Sequence, residues 1–426
     1  MIIWLLVGYM WLVLYRPFER WEFLGGLHAD VIHAVTFYTL FLVVVWLLGL
    51  ISEGKRPLGN IFSLGLILYT FAIILSTLVS PYTDIFTNWV FRNWLSHVAF
   101  FIILMTSLKT ERDLKIITTC YIVIIFLSTA ETYLEFLGGQ TRTTGRVERI
   151  AVAIGDRILG LNFYSTTLAC TLPLTIPLLA LCKKPWHYLF ALGHILLVAR
   201  VVLQTGSRTA LVLLVLAMLL SVLFSRRRLV LIPLMLLGGA VGWAIVPENM
   251  QQRYLTIIAP EGREHLTYEG GRGTEDRLMH HLNRTLERLP NYPVFGAGPG
   301  RNAPAAGERM AIHMLYGQIP TDLGIIGSIA FLFMLSCFGI NHYSIWKNYK
   351  YLQEKRLGEV GRYCWYVSIG VIFAVIMMLV QGLGLHTGYE YTWIWFGAFQ
   401  ALAAMIMQEK VLDAMQGKLV PKLLPK

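Results

Sequence analysis

The sequence predicts an all-α polytopic membrane protein that crosses the bilayer about twelve times, and three observations lead there. Of the 426 residues, 56% are hydrophobic and only 14% are charged, which is too apolar a balance for a water-soluble fold. Apolar runs of about 17 to 25 residues recur from one end to the other, each long enough to cross a hydrocarbon layer of about 30 Å as a helix. Between these runs, lysines fall on alternate connections. A closed barrel could also satisfy a backbone in lipid, but it requires strand-like alternation, and none runs through the chain.

In order, the predicted spans are 2–15, 31–50, 58–80, 94–108, 114–137, 159–181, 187–203, 209–224, 229–246, 321–340, 363–383 and 391–407. They divide the chain into nine spans (1–246), one long connection (247–320), three further spans (321–407) and a tail (408–426). The first run lacks a basic leader and a small-residue cleavage site, so it reads as a span or signal anchor and not as a removed signal peptide. The five cysteines lie within or at the ends of apolar runs without paired spacing, and read as small buried hydrophobes.

Orientation follows from the cations, because Lys and Arg in short loops are retained in the cytoplasm. Alternate connections carry Lys55 and Arg56, then Lys109, Arg112 and Lys115, then Lys183 and Lys184, then Arg226, Arg227 and Arg228. Lys347, Lys350, Lys355, Arg356 and Arg362 follow, and finally Lys410, Lys418, Lys422 and Lys426 in the tail. Both termini are therefore expected in the cytoplasm. On this topology all twelve lysines are cytoplasmic, and the basic residues of the opposite face are all arginine. Outer-face cations run against the retention rule, and the choice of Arg alone points to planar, bidentate recognition of an anion such as phosphate.

Two outer segments stand out. Residues 138–157 carry Arg142, Arg146, Arg149 and Arg157 among Gly and Thr. Residues 247–320 form the only long connection, and a loop of that length between spans is usually functional. Within it, 276–288 has helix-like composition, and PNYPVFGAGPG over 290–300 is a turn-rich stretch that cannot continue that helix.

A metal centre would need several carboxylates or imidazoles at ligand spacing, and the outer segments offer none: His280 and His281 are adjacent, and Asp84 and Asp156 are isolated. No G-x-S-x-G marks a serine hydrolase around Ser207. Histidine and arginine remain. His313, just before the tenth span, has the chemistry of a general base near neutral pH; a capping histidine at the helix start is the plainer reading of the same residue. Arg200 and Arg208 flank the outer end of the seventh span, where a charge is costly and by default marks a substrate path. Arg208 follows a Gly-Ser turn and begins the next span, where a helix N-terminus and a guanidinium together favour phosphate. Arg277 sits in the loop helix, one turn from His280 and His281.

Three stretches taken together resemble the bacterial O-antigen ligase and polymerase superfamily: GSRTA over 206–210, the run from Arg277 through Pro293, Gly296, Gly298 and Gly300, and His313 followed by Asp322, Gly324 and Gly327. The likeness covers roughly residues 206–328. The chain departs from it at Met314, where Asn is common, and at His280 or His281, where Trp is common. The resemblance implies a GT-C-like fold of about twelve transmembrane helices with one long periplasmic loop containing short helices. It further implies a metal-independent, inverting glycosyltransferase of the bacterial inner membrane, with its active site facing the periplasm. The donor implied is an undecaprenyl-pyrophosphate-linked glycan and the acceptor is lipid A-core, amid membrane lipids, with no cofactor and no nucleic-acid partner. His313 is then expected to deprotonate or orient the acceptor hydroxyl while Arg208 and Arg277 hold the pyrophosphate. Arg142, Arg146, Arg149, Arg200 and Arg301 assist, and Asp322 and Gly298 support. A polymerase, a protein O-glycosyltransferase and a transporter of lipid-linked sugars are the alternative readings.

Overall fold

In a computed structural model, the chain is described over residues 2–17, 31–52, 58–82, 89–139, 141–144, 147–150, 153–154, 157–158, 161–181, 184–225, 228–258, 274–307, 312–385 and 387–419. It is a helical bundle. Helices α1 (Ile2–Leu14), α2 (Val31–Ser52), α3 (Ile61–Val79), α4 (Trp89–Ser107) and α5 (Glu111–Leu137) form its first part. Next come α6 (Leu161–Thr171) and α7 (Thr175–Leu181), joined by a 3-10 turn at Pro173, then α8 (Pro185–Gln204), α9 (Arg208–Leu223) and α10 (Arg228–Ala244). The long connection holds α11 (Glu248–Leu255), α12 (Thr274–Arg288) and α13 (Asn302–Ala305). Finally α14 (Leu315–Glu354), α15 (Gly358–Gln381) and α16 (Tyr391–Met415) complete the bundle.

Each of the twelve predicted runs is mainly helical, although Tyr15, 58–60, 80, 108, 224, 245–246 and 382–383 lie outside helices. Among the described residues six helices, α3, α4, α5, α8, α14 and α15, are long and apolar enough to cross a membrane. A seventh crossing results if α10 and α11, which meet at 118°, count as one broken span. The apolar helices of α1, α9 and the 34–49 part of α2 are shorter, so the length criterion supports six or seven crossings where the sequence pattern predicts twelve. Length and composition thus make the chain a membrane protein. Its surface agrees: Phe37, Leu48, Phe71, Leu189, Leu236 and Leu332 are exposed apolar side chains on five different helices, which suits lipid and not water.

Two differences from the expected pattern are structural. The segment 138–157 is not plain loop. Strands β1 (Thr141–Thr144) and β2 (Val147–Ile150) pair antiparallel, with Arg142 opposite Arg149, and β3 (Ala153–Ile154) pairs with β4 (Arg157–Ile158). The Thr, Val and Ile content of these short stretches favours extended backbone, but four residues are too few for an alternation signal to emerge. Helices also overrun the predicted spans: α14 continues to Glu354 and α16 to Met415, because Lys and Glu are good helix formers beyond the apolar stretch. The first eight residues of the predicted tail are therefore helical.

The core sits where α14 packs along α3, α15 and α16, with α4 and α5 closing around α16. Trp94, Trp393, Trp395, Phe62, Phe396 and Phe399 are fully buried there. Between helices in lipid, association rests on close packing and interhelical hydrogen bonds, and both occur. Asn60 and Asn341 exchange a pair of amide bonds of 3.0–3.1 Å, and Trp94 Nε1 donates to Thr70 Oγ1 at 3.0 Å. At the opposite end from the long connection, Glu111 pairs with both Lys115 and Lys410, bracing α5 against α16. Cys120, Cys170, Cys337 and Cys364 are unpaired thiols on separate helices. Helix α10 differs from all of these: none of its residues is buried, so it stands away from the bundle and leaves a groove between itself and α9.

Candidate active site

Helix α14 is broken at Gly324, whose φ of 65° and ψ of −162° interrupt the hydrogen-bond ladder. A break strands the carbonyls before it and the amides after it. The glycine-rich turn of the long connection takes up those groups. Ala297 N–H donates to Thr321 O and Gly298 N–H to Asp322 O, both at 2.9 Å, while Ile325 N–H donates to Pro293 O at 2.9 Å. The approach is too close for side chains. A Cβ on Gly324 would lie 2.3 Å from the Val294 carbonyl oxygen, and one on Gly296 would lie 2.2 Å from the Asp322 backbone. Helix α3 joins the interlock through Ser76 Oγ, which donates to Asp322 O at 2.9 Å, and Ser80 Oγ, which donates to Ala297 O.

The Asp322 side chain, fully buried, fixes the turn from below. Its carboxylate accepts from Gly300 N–H (3.0 Å), Asn302 N–H (3.1 Å), Asn302 Nδ2 (2.8 Å) and Tyr389 OH (3.2 Å). Asn302 Oδ1 in turn accepts from Arg288 Nη1 at 3.0 Å and from Ile312 N–H at 3.1 Å. That last bond pins the backbone immediately before His313. On the other side, Leu315 N–H donates to Gly382 O at 2.7 Å. Asp322 therefore reaches, through Asn302, the segment that carries the histidine, while Gly298 bonds the Asp322 backbone and Arg301. Burial lowers the pKa of Arg288, and neighbouring Arg284 adds to this, while Asp322 and Glu287 oppose it.

The His313 ring meets His281 of α12 edge to face, with centroids 5.9 Å apart. His281 is one wall of a cavity of about 250 Å³. Ser207, Arg208 and Thr209 line it from the start of α9, Arg253 from α11, Leu278 from α12, Asn162 from α6 and 383–385 from the turn after α15. Ser207 caps α9, its Oγ accepting from Ala210 N–H at 3.4 Å, so the amide end of that helix faces the cavity with two guanidiniums beside it. Arg208 Nη1 donates to Thr256 Oγ1 at 3.2 Å, and the buried Arg253 donates from Nε to Gly206 O at 2.8 Å. Val212, Ile257 and Val380 belong both to this cavity and to an apolar groove of about 530 Å³ between α9, α10 and α11. A small charged cavity and an apolar groove thus adjoin across shared side chains.

The other predicted residues fall elsewhere or outside the described parts. Arg200 does not line the cavity; it donates to Ile245 O at 3.4 Å beyond the end of α10 and lies against Gln204. Arg301 precedes α13, on the glycine turn, and lines neither chamber. Arg277 lies in the first turn of α12 and Arg142 and Arg149 in the β1–β2 ladder, but their side chains, like all of Arg146, lie outside the described residues. Sequence reasoning missed Arg253, Arg288 and the wall position of His281. An available signal was that, on the topology the sequence predicts, Arg253 is a further arginine of the lysine-free face, seven residues past a predicted span. Among the described residues no group of three or more His, Cys, Asp or Glu is arranged to hold a metal ion.

No protein-family model matches the chain, and no curated protein matches it.

Proposed function

We propose that the chain is a membrane-embedded glycosyltransferase of the O-antigen ligase type. It moves a glycan from undecaprenyl pyrophosphate to a sugar hydroxyl of lipid A-core at the periplasmic face of a bacterial inner membrane, crossed by all twelve helices with both termini cytoplasmic. One observation carries the reading: the arginine-lined cavity and the apolar groove share a wall. A polyprenyl pyrophosphate has the same two halves, a dianionic head and a long hydrocarbon tail.

The proposed step is a direct displacement. The acceptor oxygen bonds to the anomeric carbon as the bond from that carbon to the phosphate oxygen breaks, and undecaprenyl pyrophosphate departs with the electron pair. The acceptor proton passes to His313. Attack from the face opposite the leaving group inverts the anomeric centre. Arg208, Arg253 and the α9 amides meet the charge that grows on the departing phosphate, a preorganised stabilisation that a metal ion would otherwise supply, so the reaction is proposed to be metal-independent.

Purified protein given undecaprenyl-pyrophosphate-linked polysaccharide and rough lipopolysaccharide in excess EDTA is expected to yield capped lipopolysaccharide. Longer lipid-linked chains in place of that product would make the protein a polymerase. No transfer to any sugar acceptor, with or without divalent metal, would sink the reading.

Arg208→Lys and Arg253→Lys test the head-group site. Lysine keeps the charge but loses the planar fork and, at position 253, the Nε bond to Gly206. Each is expected to weaken donor binding about tenfold or more, the scale of one charged hydrogen bond. Donor affinity equal to wild type in both variants would remove the arginines from pyrophosphate recognition.

A further inference from the structure

On the same end of the bundle, away from both chambers, two tyrosines from distant parts of the sequence meet. Tyr82, just beyond α3, and Tyr292, in the turn after α12, lie edge to face with centroids 5.8 Å apart and their hydroxyl oxygens 2.7 Å apart. Tyr82 is 38% exposed and Tyr292 is half-buried, so the pair forms a rigid aromatic step at the surface. Its footing is firm: Tyr82 N–H donates to Ser80 Oγ, which is itself bonded to Ala297 in the glycine turn.

Beside Tyr292 is a notch of about 10 Å³ floored by Arg288, Asn302 and Thr321 and rimmed by Asn291. That volume admits one water or one hydroxyl and nothing larger. A ligand of matching shape has a flat, weakly polar face to lay on an aromatic ring and a projecting hydroxyl to sink among amide and guanidinium groups. A pyranose has both. Its axial C–H groups carry partial positive charge and suit the negative face of a tyrosine ring, while its equatorial hydroxyls both donate and accept. Tyrosine also presents contact area at little rotamer cost.

We infer that Tyr82, Tyr292 and the Asn291–Arg288 notch form a saccharide subsite that holds a pyranose ring of the glycan at a distance from the reacting bond. The inference rests on the glycosyltransferase reading above. Helix α12 sets the spacing: His281 faces the charged cavity and Arg288 the notch, seven residues apart on one buried face, or about 10 Å along the axis. A chain attached at the cavity could therefore be gripped a short way along its length, either on the donor glycan or on the acceptor sugar.

Binding by the full-length protein in detergent tests this with three probes: sugar-free undecaprenyl pyrophosphate, the same carrier bearing polysaccharide, and rough lipopolysaccharide. The wild type is expected to hold the sugar-bearing carrier about tenfold more tightly than the bare carrier, the effect of about 1.4 kcal/mol. Tyr292→Ala and Tyr82→Ala should erase that gap without altering affinity for the bare carrier, and Tyr292→Phe should keep most of it. An intact gap with a roughly tenfold higher KM for rough lipopolysaccharide would instead assign the subsite to the acceptor sugar. If neither quantity moves in either alanine variant, the subsite is overturned and the transferase reading stands. If the wild type fails to bind the bare carrier, the transferase reading itself falls and the subsite with it.

Discussion

Replacing His313 by Ala is expected to lower glycan transfer by about 10²- to 10⁴-fold, the range a positioned general base contributes, while donor affinity stays near wild type. The two quantities separate because the head-group cations come from α9 and α11, whereas His313 comes from the lead-in to α14 and is not among the residues lining the charged cavity. The geometry also names a rival. His281 is 3% exposed, lines that cavity, and lies ring to ring with His313, so a proton could be taken up by either imidazole of the pair. His281→Gln discriminates between them. If His313 is the base, His281→Gln should cost less than His313→Ala, since its effect would be on the orientation of its neighbour. Wild-type turnover in His313→Ala with loss in His281→Gln would move the base role to α12.

Much of the helical pattern was legible because membrane spans announce themselves by length and hydropathy. The glycine-rich turn was legible as a turn, and α12 as a helix that must end before it. What these elements do to one another was not. Gly296 and Gly324 are needed because a loop and a broken helix share backbone hydrogen bonds, a contact between residues 28 positions apart that no local pattern encodes. Arg200 and Arg253 show the same limit from the other side. Arg200 drew attention as a charge in a span, yet it reaches Ile245, whereas Arg253, not singled out in the sequence, lines the cavity. Which arginine lines the cavity depends on the 118° turn between α10 and α11, where Val246 is buried and Pro247 is the N-cap of α11. The β1–β2 ladder escaped notice because strands of four residues leave almost no periodic trace.

The second large effect is expected at Asp322, which touches no predicted substrate. Four donor bonds converge on its carboxylate, three of them from Gly300 and Asn302 on the glycine turn. Asp322→Ala leaves those donors buried without an acceptor, at a cost of roughly 3–5 kcal/mol. Tyr389→Phe removes one of the four bonds and leaves the others, so it should cost about 1 kcal/mol. The same hub governs chemistry, because Asn302 holds the amide of Ile312 next to His313. Asp322→Ala should therefore lower both the thermal midpoint in detergent and the transfer rate measured well below that midpoint, with donor affinity changed less than either. A variant that loses stability but retains the full rate would show that the network holds the fold without positioning the base. One that keeps both would mean that Ser76, Ser80 and the shared backbone bonds around Gly324 are enough to seat the turn without the carboxylate.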